Sequence, residues 1–153
     1  MKRREIWMSV GAVVLLLGCM EGTAMAKKVL WSAMSGRVLM NGQPAAGAVL
    51  VRSYLWHWNN EKASDQAVAN AAGEFVFPPI EGRSLMGNLL PHEPVIEQLM
   101  KVEYQGKSYV AWAYFKRSYK DNTENNGKPL NVTCRLEAER VLHGEVTGLC
   151  EFN

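Results

Sequence analysis

The sequence predicts an all-β chain, an antiparallel β-sandwich of about seven strands with one short helical segment near residues 84–90. Three observations predict it. Short runs rich in Val, Leu, Tyr, Phe and Trp alternate with Gly, Asn and Pro turn signals, and helical periodicity is nearly absent. Residues 48–56 alternate with period two: Val49, Val51, Ser53 and Leu55 take one face, Ala48, Leu50, Arg52, Tyr54 and Trp56 the other. Finally, the runs 95–104 and 107–115 flank Gln105-Gly106, a hairpin pattern.

The elements follow in order. Residues 29–33 and 37–40 read as a first strand or strand pair, closed by Asn41-Gly42, since both residues tolerate positive φ. Pro44 and Gly47 frame the entry to the strand 48–56. A polar loop at 59–62, a weak strand at 64–69, a turn at 70–73 and a strand at 74–77 come next. The helical turns at 84–90 end at Pro91 and Pro94, because a residue before proline is pushed out of the helical region. In the strand 107–115, Tyr109, Ala111, Ala113 and Phe115 are assigned to one face and Val110, Trp112 and Tyr114 to the other. Both faces are apolar, which predicts a strand covered on both sides or packed against a partner. Residues 117–128 form a polar, mobile loop, and 130–136 and 145–151 close the sheet.

Residues 1–26 carry the three-part layout of a secretory signal: Lys2-Arg3-Arg4, an apolar run over 6–18, and Ala24-Met25-Ala26 as a small-x-small cleavage site. The run is shorter than the roughly 20 residues that span a bilayer as a helix. Leu16-Leu17-Gly18-Cys19 also resembles a lipobox, so cleavage after Ala26 and lipidation at Cys19 are both open. Either route predicts a periplasmic or envelope protein, with membrane attachment only if Cys19 is lipidated. One domain over 27–153 is expected.

Cys134 and Cys150 remain as an even pair in an oxidising compartment, which predicts a disulfide. The whole chain carries 17 basic and 15 acidic side chains; residues 1–26 account for three and two of them, leaving 14 and 13. That balance gives no electrostatic footprint for nucleic acid.

The stretch from Ser35 to Pro78 reads S-G-R-V-L-M-N-G-Q-P-A-A-G-A-V-L-V and then A-N-A-A-G-E-F-V-F-P. It resembles the carboxypeptidase regulatory-like or transthyretin-like β-sandwich domains, and so implies a transthyretin-like or immunoglobulin-like sandwich. Within it, Gly42-Gln43-Pro44 makes a turn, Gly47 permits a bulge or close backbone approach, and Asn70 and Gly73 turn the chain so that Phe75 and Phe77 enter the core. More broadly, segments 53–58, 90–94 and 115–120 are similar to small exported bacterial proteins with this sandwich. Some such proteins are encoded beside type VI secretion genes, which implies immunity proteins of the envelope. A hydroxyisourate-hydrolysing branch of the transthyretin-like group ends in Tyr-Arg-Gly-Ser; this chain ends Leu149-Cys150-Glu151-Phe152-Asn153, and that activity is not expected.

Candidate sites are sparse. His57, His92 and His143 lack metal-ligand spacing. No nucleophile motif is present, and no cofactor is expected. Trp56 and Trp58 suit a stacking platform or a partner anchor, or else core closure and edge packing. His92-Glu93, between two prolines, reads as a rigid loop holding Leu89 and Leu90 against the core. Lys116, Arg117 and Lys120 with Tyr114 and Tyr119 suit an acidic partner surface, or a solvated hairpin end. The expectation is a non-enzymatic protein-binding module with Trp56, Trp58, Tyr114, Arg117 and Tyr119 as its surface. In its most concrete form it is an immunity protein that sterically blocks a secreted effector, possible targets including a lipase or another envelope hydrolase. The alternatives are a carbohydrate-binding module that stacks sugars on the Trp pair, and a structural envelope subunit that self-associates through sheet edges.

Overall fold

The structure is a computed structural model that describes residues 27–84 and 86–153. Residues 1–26, which hold the expected export signal and Cys19, lie outside the described residues. The described chain is all-β and sandwich-like, built on two principal sheets. One has six strands: β4 (Val49–Trp56), β5 (Glu61–Val68), β8 (Ile96–Tyr104), β9 (Lys107–Lys116), β11 (Val141–His143) and β12 (Val146–Gly148), in the order β11-β12-β9-β8-β4-β5. The other has five: β2 (Met34–Met40), β3 (Gln43–Pro44), β6 (Glu74–Phe77), β10 (Leu130–Arg135) and β13 (Cys150–Phe152). A short pair, β1 (Lys28–Trp31) with β7 (Ile80–Gly82), forms a third sheet. The helical segment shrinks to one turn, α1 (Met86–Leu89).

The expected alternation of β4 holds residue for residue. Leu50, Arg52, Tyr54 and Trp56 are buried, while Val49, Val51, Ser53 and Leu55 are half-buried on the opposite face. Arg52 enters the core as a cation. Its guanidinium makes a two-pronged contact with Asp65, Nε to Oδ1 at 2.9 Å and Nη2 to Oδ2 at 2.6 Å, and lies over the ring of Phe77. Phe75 and Phe77 also point inward, placed by Asn70, whose Oδ1 accepts from the backbone N–H of Ala72 and of Glu74. Gly47 has φ +78° with open space where a Cβ would stand, so it serves the turn and makes no close approach.

Three expectations need correction. First, the β8–β9 register slips: Met100 faces Trp112 but Lys101 faces Val110, leaving Ala111 as the extra residue of a bulge. The slip reverses parity, so Tyr109 shares the inward face of Val102, along with Trp112 and Tyr114, while Ala113 and Phe115 stay outside. Second, 130–136 and 145–151 do not close one sheet. β12 pairs with β9, and after Leu149 the chain crosses to pair β13 with β10. The crossing is tight: Leu149 N–H donates to the Ala111 carbonyl at 3.0 Å, and a Cβ on Gly148 would stand 2.1 Å from that oxygen. β10 in turn runs parallel to β2, from Leu130 opposite Met34 to Arg135 opposite Leu39, within an otherwise antiparallel arrangement. Third, Leu89 and Leu90 are 75% and 49% exposed, not held against the core. Neither joins the core; the residue of this loop that packs inward is His92, stacked on Trp58.

The disulfide is present. Cys134 and Cys150 are directly opposite residues of β10 and β13, both buried, with Cα atoms 3.9 Å apart. It closes a loop worth about 3 kcal/mol in the chain-entropy account.

Candidate functional site

One end of the sandwich gathers the turn after β4, the segment between β7 and β8, the chain after β9, and the start of β1. Backbone bonds set the frame: Val29 N–H donates to Tyr119 O and His57 N–H to Val95 O. Inside it, Trp58 stacks on the His92 imidazole with ring centroids 3.9 Å apart, and Trp58 Nε1 donates to Ser84 Oγ at 3.0 Å. Tyr119 lies beneath. Its oxygen accepts from Trp56 Nε1 at 2.9 Å, and its hydroxyl is 2.6 Å from His92 Nε2. With His92 Nδ1 donating to Leu90 O at 3.1 Å, the tautomer that satisfies every partner has Tyr119 donating to Nε2. The Lys28 ammonium sits 4.5 Å over the Tyr119 ring, a cation–π contact. Burial pushes the Tyr119 phenol up, against the opposing bond from Trp56.

Around this ordered patch the surface is open. A cleft of about 700 Å³ is lined by Lys27, Val29, Pro94, Arg117, Tyr119 and Lys120 among others. Arg117 reaches Glu93 at 3.4 Å with both side chains largely exposed, a pair that is worth little to stability in solvent. Beside the patch, α1 and its flank present Met86, Leu89 and Leu90 to solvent, 57%, 75% and 49% exposed.

Of the five residues expected at a partner surface, Trp56, Trp58, Arg117 and Tyr119 meet at this end. Trp56 supports it from beneath, because its side chain is fully buried. Tyr114 is also buried and belongs to the core; its hydroxyl donates to Glu145 Oε2 at 3.3 Å, and burial together with that carboxylate pushes it up to about 12. Trp58 and Tyr119 are half-buried and Arg117 is exposed. The sequence reading missed His92 as the hub of the patch. The one available signal was its place between two prolines, which fixes a loop but not what the imidazole touches.

A second polar cluster lies deeper. Lys116 Nζ contacts Glu124 Oε2 at 2.6 Å, and both side chains are wholly buried. Lys116 also donates to Lys120 O and Thr123 Oγ1, both at 2.9 Å. Glu124 accepts from Ser32 N–H, Ser32 Oγ and Gln98 Nε2, and Gln98 Oε1 accepts from Trp112 Nε1. Burial pushes the Glu124 carboxyl up, but the Lys116 charge and the bonds from Lys116 and Gln98 outweigh it and hold the carboxyl below its usual range. Amine, carboxylate and hydroxyl resemble a catalytic set in composition. Here each is engaged and covered, so the arrangement anchors the chain. Residues 117–128, expected to be a mobile loop, are thereby pinned to Ser32 just after β1, to β8 and to the end of β9.

Among the described residues no group of three or more His, Cys, Asp or Glu side chains is placed to hold a metal ion. A protein-family model described as "Domain of unknown function (DUF6795)" matches residues 34–139. No curated protein and no solved structure matches the chain.

Proposed function

The chain belongs to the DUF6795 family, and from that premise we propose that it is an exported, non-enzymatic protein-binding module that engages its partner through the loop end of the sandwich. The observation that carries the reading is the exposed trio Met86, Leu89 and Leu90 beside the Trp58–His92–Tyr119 patch and the cation Arg117. Aliphatic knobs next to a rigid aromatic and an arginine are the composition of an interface centre. The patch is ordered by its own hydrogen bonds before any partner arrives, which lowers the ordering cost of binding. The disulfide supports an oxidising compartment. In its most concrete form the module neutralises a secreted effector by covering its active cleft, and this form rests on the family resemblance given above.

The test uses two surface variants, Leu89→Asp and Arg117→Glu, purified from the envelope of the native host beside the unaltered protein. A stoichiometric partner retained by the unaltered protein, and lost from both variants at unchanged melting temperature, is the expected result. Equal recovery from all three removes this surface from consideration. Recovery of the protein alone, with binding to an insoluble glycan in a pelleting assay, moves the function to carbohydrate recognition.

A further inference from the structure

The two principal sheets differ on their outer faces. The five-stranded sheet shows solvent Ser35, Arg37, Glu74, Asn131, Thr133 and Arg135, with Val76 as the apolar exception. The six-stranded sheet carries a continuous apolar strip instead. Its outward positions form cross-strand rows read directly from the register. The central row is Leu142, Thr147, Ala113, Leu99, Ser53 and Ser64. On one side lie Phe115, Glu97, Leu55 and Lys62; on the other, Val110, Lys101, Val51 and Gln66, so the apolar strip runs over β9, β8 and β4 and is bordered by the polar edge strand β5. Phe115 is 53% and Leu142 68% exposed, while Leu99, Leu55, Val110 and Val51 are half-buried. Nothing else in the described chain covers this face. An exposed apolar strip across the middle of a sheet whose inner face already forms the core favours a cover on this side as well.

We propose that this face packs against the same face of a second copy, in a two-fold dimer. The occupant follows from the charges. Glu97 and Lys101 are the charged residues of β8 on either side of Leu99 along this face, two residues before it and two after. Consider a two-fold axis lying in the interface along the central row. It reverses strand direction and keeps each strand over its own copy. Glu97 then stands over Lys101 of the second copy, and Lys101 over its Glu97. The same operation sets Phe115 over Val110 and Leu55 over Val51, apolar on apolar, while Leu99 meets itself. An isologous interface needs a patch that complements itself, and this row pattern does. The alternative axis, along the strands, would set Glu97 over Glu97 and Lys101 over Lys101.

The area is sufficient for a specific contact of modest strength. Four strands of about six residues and the two three-residue strands β11 and β12, at about 4.8 Å spacing and about 3.3 Å per residue, give about 500 Å² or slightly less of face per copy, about 1,000 Å² or slightly less in all. That lies at the lower limit of specific interfaces, about 1,000–1,200 Å², so a dimer of micromolar affinity is expected. This surface is separate from the loop end, so the dimer presents two partner-binding ends.

Sedimentation equilibrium of the purified protein tests the proposal through Glu97→Lys and Lys101→Glu. Among the described residues the Glu97 carboxylate forms one ion pair, with the half-exposed His57 at 3.6 Å, and both Glu97 and Lys101 are exposed, so both variants are expected to fold, which circular dichroism and thermal melting verify. Each variant alone sets like charges face to face and is expected to weaken dimerisation at least tenfold. Mixing the two restores opposite charges at both contacts, so the mixture is expected to regain dimer to within a few-fold of the unaltered protein. A protein that stays monomeric to about 1 mM, beyond the weakest useful affinity at this area, overturns the proposal. A dimer indifferent to both variants, or one that mixing fails to restore, overturns it equally.

Discussion

Glu124 is the acceptor at the centre of the buried polar network. It lies in T-E-N-N-G, a stretch whose composition reads as solvated loop, yet its carboxylate is wholly buried against Lys116. No local pattern announces such a residue, because the burial comes from the chain after β9 folding back over β1. By contrast Arg52 was placed inward by the alternation of its neighbours, since period-two geometry fixes the side of a strand residue whatever its charge. Glu124→Gln keeps the volume and removes the charge, leaving Lys116 buried and unpaired. It is expected to cost about 3–5 kcal/mol, read from the urea midpoint, and Lys116→Met in the same background should recover part of the loss. The pH dependence has a definite sign. The folded carboxyl sits below its unfolded value near 4.5, so the folded state binds fewer protons. Its contribution is full above that value and is lost as pH falls through the folded value. The acid limb of stability against pH should therefore be shallower in Glu124→Gln.

At the scale of elements, β10 and β13 depend on one covalent link. β13 is three residues long and follows immediately on the tight crossing at Gly148 and Leu149. Replacing Cys134 and Cys150 together by Ala is expected to lower stability by about 3 kcal/mol in the loop-entropy account, measured by denaturant unfolding. The pairing of these cysteines was legible from their number and from the oxidising compartment that residues 1–26 led us to expect. The boundaries of β4, β6, β8 and β9 were legible too, because turn residues such as Asn41-Gly42, Asn70 to Gly73 and Gln105-Gly106 punctuate them. The bulge at Ala111 and the crossing at Leu149 were not. Each depends on which strand lies alongside, and a run such as Glu145 to Glu151 looks the same whether it stays in one sheet or changes partners halfway. The patch around His92 was half legible. Trp58, Arg117 and Tyr119 stood out as anchor types, but Trp56 carries the same chemistry and is spent on the core.

The whole molecule joins its early and late segments directly. β2 pairs in parallel with β10, and Ser32 bonds to Glu124, 92 residues away. The resemblance over Ser35 to Pro78 covers strands from both principal sheets, but none of it includes the strand that completes β2. This has a consequence in time. During synthesis at about 5–20 residues per second, β2 waits roughly 5–20 seconds before β10 exists. Contacts this distant in sequence carry a large loop-closure cost before any reward, so folding belongs to the slow end for a chain of this size. A nascent or truncated chain ending before Leu130 therefore has β2 paired on one side only, and is expected to show no cooperative unfolding transition by tryptophan fluorescence. Topology thus makes closure of the sandwich wait on the last quarter of the chain, which carries the strand that completes β2.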